Sequence, residues 1–358
     1  MPQLKTFSLI APLCVLAFAC RSESSNQAST TESESNSPAA SASAASKDKF
    51  AKALASAITD EKLGVKPSSG ASDTSPPSDG VIDPSKADAQ APNHAPPKLT
   101  LGSSGSEPRV SLSHKPLTLP MKATLQVSVD LGGGQGLPPV DFKLEFRAAA
   151  AKSDAKAAQA LTARVADVSV SDSHAPAEFA NQMRQLIGAK ISYSVSEQGG
   201  AFDFSQELGK SKHQELGDLL EMVVQGVASA SLATPNEPIG VGGYWMVASR
   251  RALLGLDWVV YDMVKVAKLS DKEVSLDISS RRYAVGRDIQ APAGMQGPKL
   301  TIKEANASET AQAIAVPQAS LLRQFEKTQA IKLLLDADDK SGQRMMQAGG
   351  QMKFQLNR

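Results

Sequence analysis

The chain has 358 residues, a formal net charge of +1 at neutral pH and only 4% aromatic residues. A near-neutral balance with no basic block lacks the electrostatic footprint of nucleic-acid binding, so no nucleic-acid partner is expected. Two cysteines, Cys14 and Cys20, exclude a disulfide framework and a thiolate metal cluster.

The first segment reads "MPQLKTFSLIAPLCVLAFAC". Lys5 precedes an apolar run from Phe7 to Phe18. That run falls short of the roughly 20 apolar residues that cross a bilayer. It predicts a signal peptide over residues 1–19, with the small residues Ala17 and Ala19 before the cleavage point. "AFAC" resembles the lipobox of bacterial lipoproteins, whose cysteine thiol takes a diacylglyceryl group before cleavage. Ala17 stands where that box usually has Leu, and Leu16 lies one residue early. An ordinary secretory signal with an unmodified Cys20 is the competing reading. The resemblance implies lipidation of Cys20, a palmitate-type anchor, and the membrane as a partner through that anchor. Each buried methylene of such a chain contributes on the order of 0.8 kcal/mol. Cleavage before Cys20 would also remove Cys14. Arg21 and Ser22 follow with no acidic retention signal of the enterobacterial kind, which points to the outer membrane of a bacterial envelope.

Residues 20–97 read as a disordered linker. Ser, Ala and Pro dominate in "SNSPAASASAAS", "KPSSGASDTSPPSDG" and "APNHAPP", and large apolar residues are too few to offset the entropy of ordering the chain. One stretch, "KDKFAKALASAITDEKLG", spaces Phe50, Leu54 and Ile58 four apart. It predicts a short helix, either a docking motif or a marginal, transient turn of helix.

Residues 98–358 are expected to form one strand-rich domain. "TLQVSVDL" alternates Leu125, Val127, Val129 and Leu131 with polar residues, and "DFKLEFR" does so with Phe142, Leu144 and Phe146. Between them "LGGGQG" reads as a hairpin loop, because it lacks the Lys-Ser/Thr of a phosphate loop. Further strands are predicted at 164–170, 190–195, 201–206, 257–266, 273–279, 327–336 and 351–357. "LSDKE" and "DADDKSG", which contains Asp338 and Asp339, are expected as hairpin turns. "PAEFANQMRQLIG" and "KHQELGDLLEMVVQGVASA" have helical spacing, the second with Leu216, Leu220, Val223 and Val227 on one face. "PNEPIGVGGYW" should form a tight turn through Gly240, Gly242 and Gly243 that delivers Trp245 to the sheet, as a structural or ligand-lining element. "RRYAVGRD" reads as a solvated basic edge or an anion contact. The expected class is α+β: a mostly antiparallel, curved, half-barrel-like sheet with two packed helices, after the linker.

The signal, the lipobox cysteine, the Ser/Ala/Pro tether and "LTLGSSGSEPRVSLSHK" together resemble envelope lipoproteins of the myxobacterial type. These are similar in turn to the domain family of unknown function 6263. "LIGAKISYSVSEQGGAFDF" and "PNEPIGVGGYW" carry most of the likeness. Where that family commonly has a polar residue after the second glycine, Gly243 stands here. The family has no established chemistry to transfer.

No constellation for catalysis emerges. His94, His114, His174 and His213 fit no metalloprotease spacing, and no G-x-S-x-G elbow is present. No catalytic residue, metal site or cofactor is expected, and the chain is read as a non-enzyme. Two functions remain. One is an envelope binding module for lipid or another apolar ligand, held in a cavity between helix and sheet. The other is a structural or protein-interaction lipoprotein with a solid core.

Overall fold

The computed structural model describes residues 77–132, 135–149, 157–209, 215–270, 272–289, 299–339 and 342–358. The signal segment, Cys20, the Phe50–Ile58 stripe and His213 lie outside the described residues.

In chain order the elements begin with β1 (Val81–Ile82), α1 (Pro84–Gln90), β2 (Lys98–Ser103) and β3 (Arg109–Val110). A first meander follows: β4 (Met121–Gly132), β5 (Gln135–Ala149), β6 (Gln159–Val170), then α2 (Ala177–Arg184), β7 (Lys190–Val195) and β8 (Ala201–Glu207). Helix α3 (Glu215–Ala230) and β9 (Ile239–Gly240) lead into the second. That meander comprises β10 (Tyr244–Leu253), β11 (Leu256–Leu269), β12 (Val274–Val285), β13 (Asp288–Ile289), β14 (Lys299–Ala315), β15 (Gln324–Asp339) and β16 (Gly342–Asn357).

The two meanders form one sheet because the last strand, β16, pairs antiparallel with β4, Phe354 opposite Val127. The order is β2-β10-β11-β12-β14-β15-β16-β4-β5-β6-β7-β8, antiparallel at every step. Among the described strands, only the short β1, beside β12, runs parallel to its neighbour. The sheet is open, with β2 at one end of the order and β8 at the other. The fold is therefore mainly β, with three helices among the described residues, rather than the α+β class with two that the sequence suggests.

Alternation explains the sheet's two faces. Leu125, Phe142, Leu144, Leu161, Val165, Ile191 and Phe354 are all buried, and the residues between them face out. Helix α3 lies against the inner face and touches β10, β8, β16 and β4, strands from both ends and the middle of the order. The sheet thus curves around the helix. Leu216, Leu220, Val223 and Val227, spaced three or four apart, are at most 1% exposed, as an apolar helical stripe requires. At Gly226 the helix meets β4 so closely that a Cβ would sit 2.4 Å from Leu125. Helix α2 caps β6, with Phe179 and Met183 buried.

Two expectations are corrected. The packed region begins near Asp79, well before Lys98. The Asp83 carboxylate caps α1 by accepting the Ser85 N–H at 2.9 Å, and Ile82, Ala87 and Ala91 are buried. Asp88 accepts from Arg250 at 3.0 Å and Gln90 bonds the Tyr261 hydroxyl. Composition conceals this, because the buried residues in and just after α1 are the small Ala87 and Ala91. The "RRYAVGRD" stretch is likewise not a solvated edge as a whole. Its first five residues end β12, whose neighbours are β11 and β14, and Arg282 is 2% exposed; Arg287, beyond the strand, is exposed and pairs with Asp79.

Candidate functional site

The inner face divides into an apolar half and a polar belt. Cross-strand register puts Asp262 of β11 opposite Ser280 of β12, Ser280 opposite Glu309 of β14, and Glu309 opposite Gln329 of β15. Four inward positions in one row are therefore polar, and all are buried. Three cations enter the row from neighbouring positions. Arg282 donates to Glu309 at 2.7 Å, Lys327 reaches Glu309 at 3.0 Å, and Arg251 donates to Asp262 at 3.0 Å. Helix α3 completes the belt: Gln225 accepts from Arg282 at 3.3 Å and Ser229 from Lys327 at 2.8 Å. The Lys327 ammonium also lies 5.0 Å from the centroid of Phe354.

Three cations share two carboxylates here, and the titration behaviour follows. Burial pushes the Glu309 carboxyl up, but the charges of Lys327, Arg282 and Arg251 outweigh it and hold the group well below the usual carboxylate range. Burial pushes Lys327 down; Glu309 offsets this only in part, because Arg282 and Arg251 oppose it. The ammonium that touches Ser229 is thus held by Glu309 as well. The void beside the pair has about 20 Å3, room for about one water.

A second small void, about 30 Å3, lies beside His114 and Thr234. A larger concavity lies at the seam where the sheet does not close. It is a cleft of about 390 Å3 between β8 and the second half of β10. Phe202–Gln206 form one wall, Arg250–Ala252 and Asp257 the other, and Glu221, Val224, Gln225 and Ala228 of α3 the floor. Asn93–Ala95 close one end, where His94 Nδ1 lies 2.8 Å from Asp203. Arg251 and Ala228 line both the cleft and the 20 Å3 void, so the cleft abuts the buried belt.

The cleft's charges are largely committed. Arg250 pairs with Asp257 at 2.6 Å and with Asp88 at 3.0 Å, and Arg251 pairs with Asp262. Glu221 accepts the Leu254 N–H at 2.9 Å. Burial raises its carboxyl above the usual range, against the lowering effect of that bond. Most of the cleft's lining residues are polar.

The sequence's own candidates lie elsewhere. Gly240 pairs with Arg109 in the β3–β9 ribbon, Gly242 has φ +79°, and Gly243 lies just before β10. Trp245 is fully buried and its indole N–H donates to the Ala233 carbonyl at 2.9 Å. None of these residues lines the cleft or either small void. The described histidines do not converge: His94 is at the cleft, His114 beside the second void, and His174 exposed next to Asp172. No group of three metal-ligating side chains occurs among the described residues. Two signals for the buried belt and the cleft floor beside it are present in the sequence. One is the Glu221, Gln225, Ser229 stripe at four-residue spacing. The other is Lys327 and Gln329 standing in the apolar register of "FEKTQAIKLLL".

No protein-family model and no curated protein matches the chain. No helix among the described residues is long and apolar enough to cross a membrane.

Proposed function

We propose that this chain is a non-catalytic binding lipoprotein of the bacterial envelope, anchored through Cys20, with the cleft between β8 and β10 as its ligand site. The anchor rests on the lipobox-like "AFAC" and holds the domain to the outer membrane at the end of a Ser/Ala/Pro-rich tether. The likeness to the family of unknown function 6263 agrees with an envelope setting and assigns no chemistry.

One observation supports the cleft above all. The curved sheet stops short of closure and leaves a cleft of about 390 Å3, against about 20 and 30 Å3 for the two small voids described above. Ligand sites are commonly concavities of about 300–1,000 Å3 with a few placed polar groups. The interior between α3 and the sheet, where an acyl chain would have to lie, is packed with side chains such as Leu125, Leu220 and Phe354. This favours a surface-entered ligand with hydrogen-bonding groups over a fully enclosed lipid.

Native mass spectrometry of the protein from its own envelope tests the reading. The protein is expected to carry acyl mass on Cys20 and no second, noncovalent lipid. A stoichiometric noncovalent lipid would restore the carrier reading and overturn the solid interior. A Cys20→Ala chain that still fractionates with membranes would remove the anchor.

A further inference from the structure

We infer that the cleft takes an extended peptide segment of a partner protein, bearing a basic residue, as an added strand between β8 and β10. The inference rests on the cleft being the ligand site and names the chemistry of its occupant.

β10 and β8 are separated in the sheet by an even number of antiparallel steps, so both run in the same direction. A single strand antiparallel to both has the direction needed to pair with either. β2 has that direction, but it pairs only with Tyr244–Ala248 of β10. Upstream of Lys98, Pro96 and Pro97 lack N–H groups, Pro97 lies against Gly200 just before β8, and Asn93–Ala95 close one end of the cleft, so β2 does not continue along the rest of β10. Among the described residues, β8 pairs as a strand with β7 alone; the Ala201 N–H donates to the Ser231 carbonyl at 3.4 Å and Asp203 has φ +53°, so Phe204–Gln206 are the stretch whose other edge is left to the cleft.

The hairpin between β10 and β11 shows which groups are free. Leu253 pairs with Leu256 across a two-residue turn in which Leu254 and Gly255 both have positive φ. In such a turn the flanking pair exchanges hydrogen bonds, and pairs alternate thereafter. Ala252 and Arg250 therefore direct their backbone N–H and C=O away from β11, toward the cleft. The Gln225 side chain already donates to the Ala252 carbonyl at 2.6 Å. Helix α3 thus supplies at one carbonyl what a neighbouring strand would supply along the whole edge. An exposed edge of this kind is the usual template for strand addition.

Charge selects the occupant. Both arginines of the cleft are ion-paired, Arg250 to Asp257 and Asp88 and Arg251 to Asp262. Two carboxylates without an arginine partner among the described residues also line the cleft: Asp203 on the opposite wall, which meets His94, and Glu221 on the floor, which accepts the Leu254 N–H. A strand whose inward side chains rest on Val224 and Ala228 can set a Lys or Arg beside these carboxylates. An acidic peptide would meet like charge.

The test uses the full chain in detergent and fluorescein-labelled hexapeptides. TVTKTV is expected to bind saturably by anisotropy, and TVTETV roughly tenfold more weakly. TVTKTV with alternate N-methylated amides should lose the strand pairing and bind roughly tenfold more weakly as well. Ala252→Pro deletes an N–H that serves no bond to β11, at an exposed position. It should keep the melting temperature while weakening TVTKTV by a similar factor. Equal affinity for the N-methylated peptide, or no saturable binding of TVTKTV, would overturn the strand-addition inference. A photo-crosslinking residue at Ser205, used in the native envelope, separates that failure from failure of the cleft reading. A non-peptide adduct there keeps the cleft and discards the peptide. Adduct formation no greater than at the exposed Lys353 position discards both.

Discussion

Arg282 on β12 and Glu309 on β14 meet inside the curved sheet at 2.7 Å, with side chains 0% and 4% exposed. Neither can reach bulk water, and Lys327 adds a second cation to the same carboxylate at 3.0 Å. Removing one partner of a buried pair strands the others as uncompensated charge, which costs about 3–5 kcal/mol. Glu309→Gln should therefore unfold at a markedly lower urea concentration than the parent chain. Replacing Arg282, Glu309 and Lys327 together by Met removes the charges along with their attraction. That triple variant is expected to be more stable than Glu309→Gln alone, because well-packed apolar side chains commonly match a buried ionic cluster. Urea titration of the two variants side by side checks the order.

The same carboxylate sets an acid limit. Glu309 is held at about 2 in the folded chain against an ordinary value of 4.5. A depressed folded pKa contributes stability that is fully present above the unfolded value and is lost as pH falls through the folded one. Melting temperatures of the parent chain should therefore drop between about pH 4.5 and 2. The gap between the parent and Glu309→Gln should shrink over that window, since the variant lacks the titrating group. A gap that stays constant from pH 6 to 2 would count against Glu309 as the controlling carboxylate.

The parts of this fold visible in the sequence are those where a single face of one element decides burial. β4, β5 and β16 alternate cleanly, and α3 shows an unbroken apolar stripe. β14 escapes such a reading because its inward positions include Ala305, Ala307, Ala313 and Ala315. Alanine carries little apolar contrast and favours helix, so period two disappears from the text. The buried belt is hidden for a different reason. Asp262, Ser280, Glu309 and Gln329 lie on four strands and become a row only through register, which no single strand encodes. The cleft is less legible still, since it arises from strands at the two ends of the sheet order. Pro96 and Pro97, which look like linker text, mark the place where β2 begins.

The start of the packed region offers a direct check. Val81 and Ile82 are buried beside β12, and each such side chain contributes about 1.5–3 kcal/mol. Limited proteolysis should stop near Asp79, and mass spectrometry of the resistant core reads that end. A chain starting at Lys98 loses β1, α1 and the Asp88–Arg250 pair, and should melt well below one starting at Asp79. Equal melting temperatures would return residues 79–97 to the tether.

The last prediction concerns the glycine turn before β10, where two glycines do different things. Gly240 lies where β9 crosses the chain at Ser106; a Cβ there would be 1.7 Å from the Ser106 carbonyl oxygen. Both sides of that contact are backbone, so no side chain can swing away. Gly242 has φ +79° and nothing within 4 Å of an added Cβ, so its substitution costs only the left-handed conformation, about 1–2 kcal/mol. Gly240→Ala should thus lower the melting temperature more than Gly242→Ala. Trp245, which this turn delivers, is the third comparison. Truncating a buried aromatic to Ala costs about 3–5 kcal/mol. Trp245→Phe keeps much of the packing but leaves the Ala233 carbonyl without its 2.9 Å donor, and should fall between. Because Trp245 lies outside the cleft, all three changes are expected to act on stability and leave TVTKTV affinity within about twofold at temperatures where the variants are folded. A Trp245→Phe chain with unchanged melting temperature and lost peptide binding would instead place this residue in the binding site.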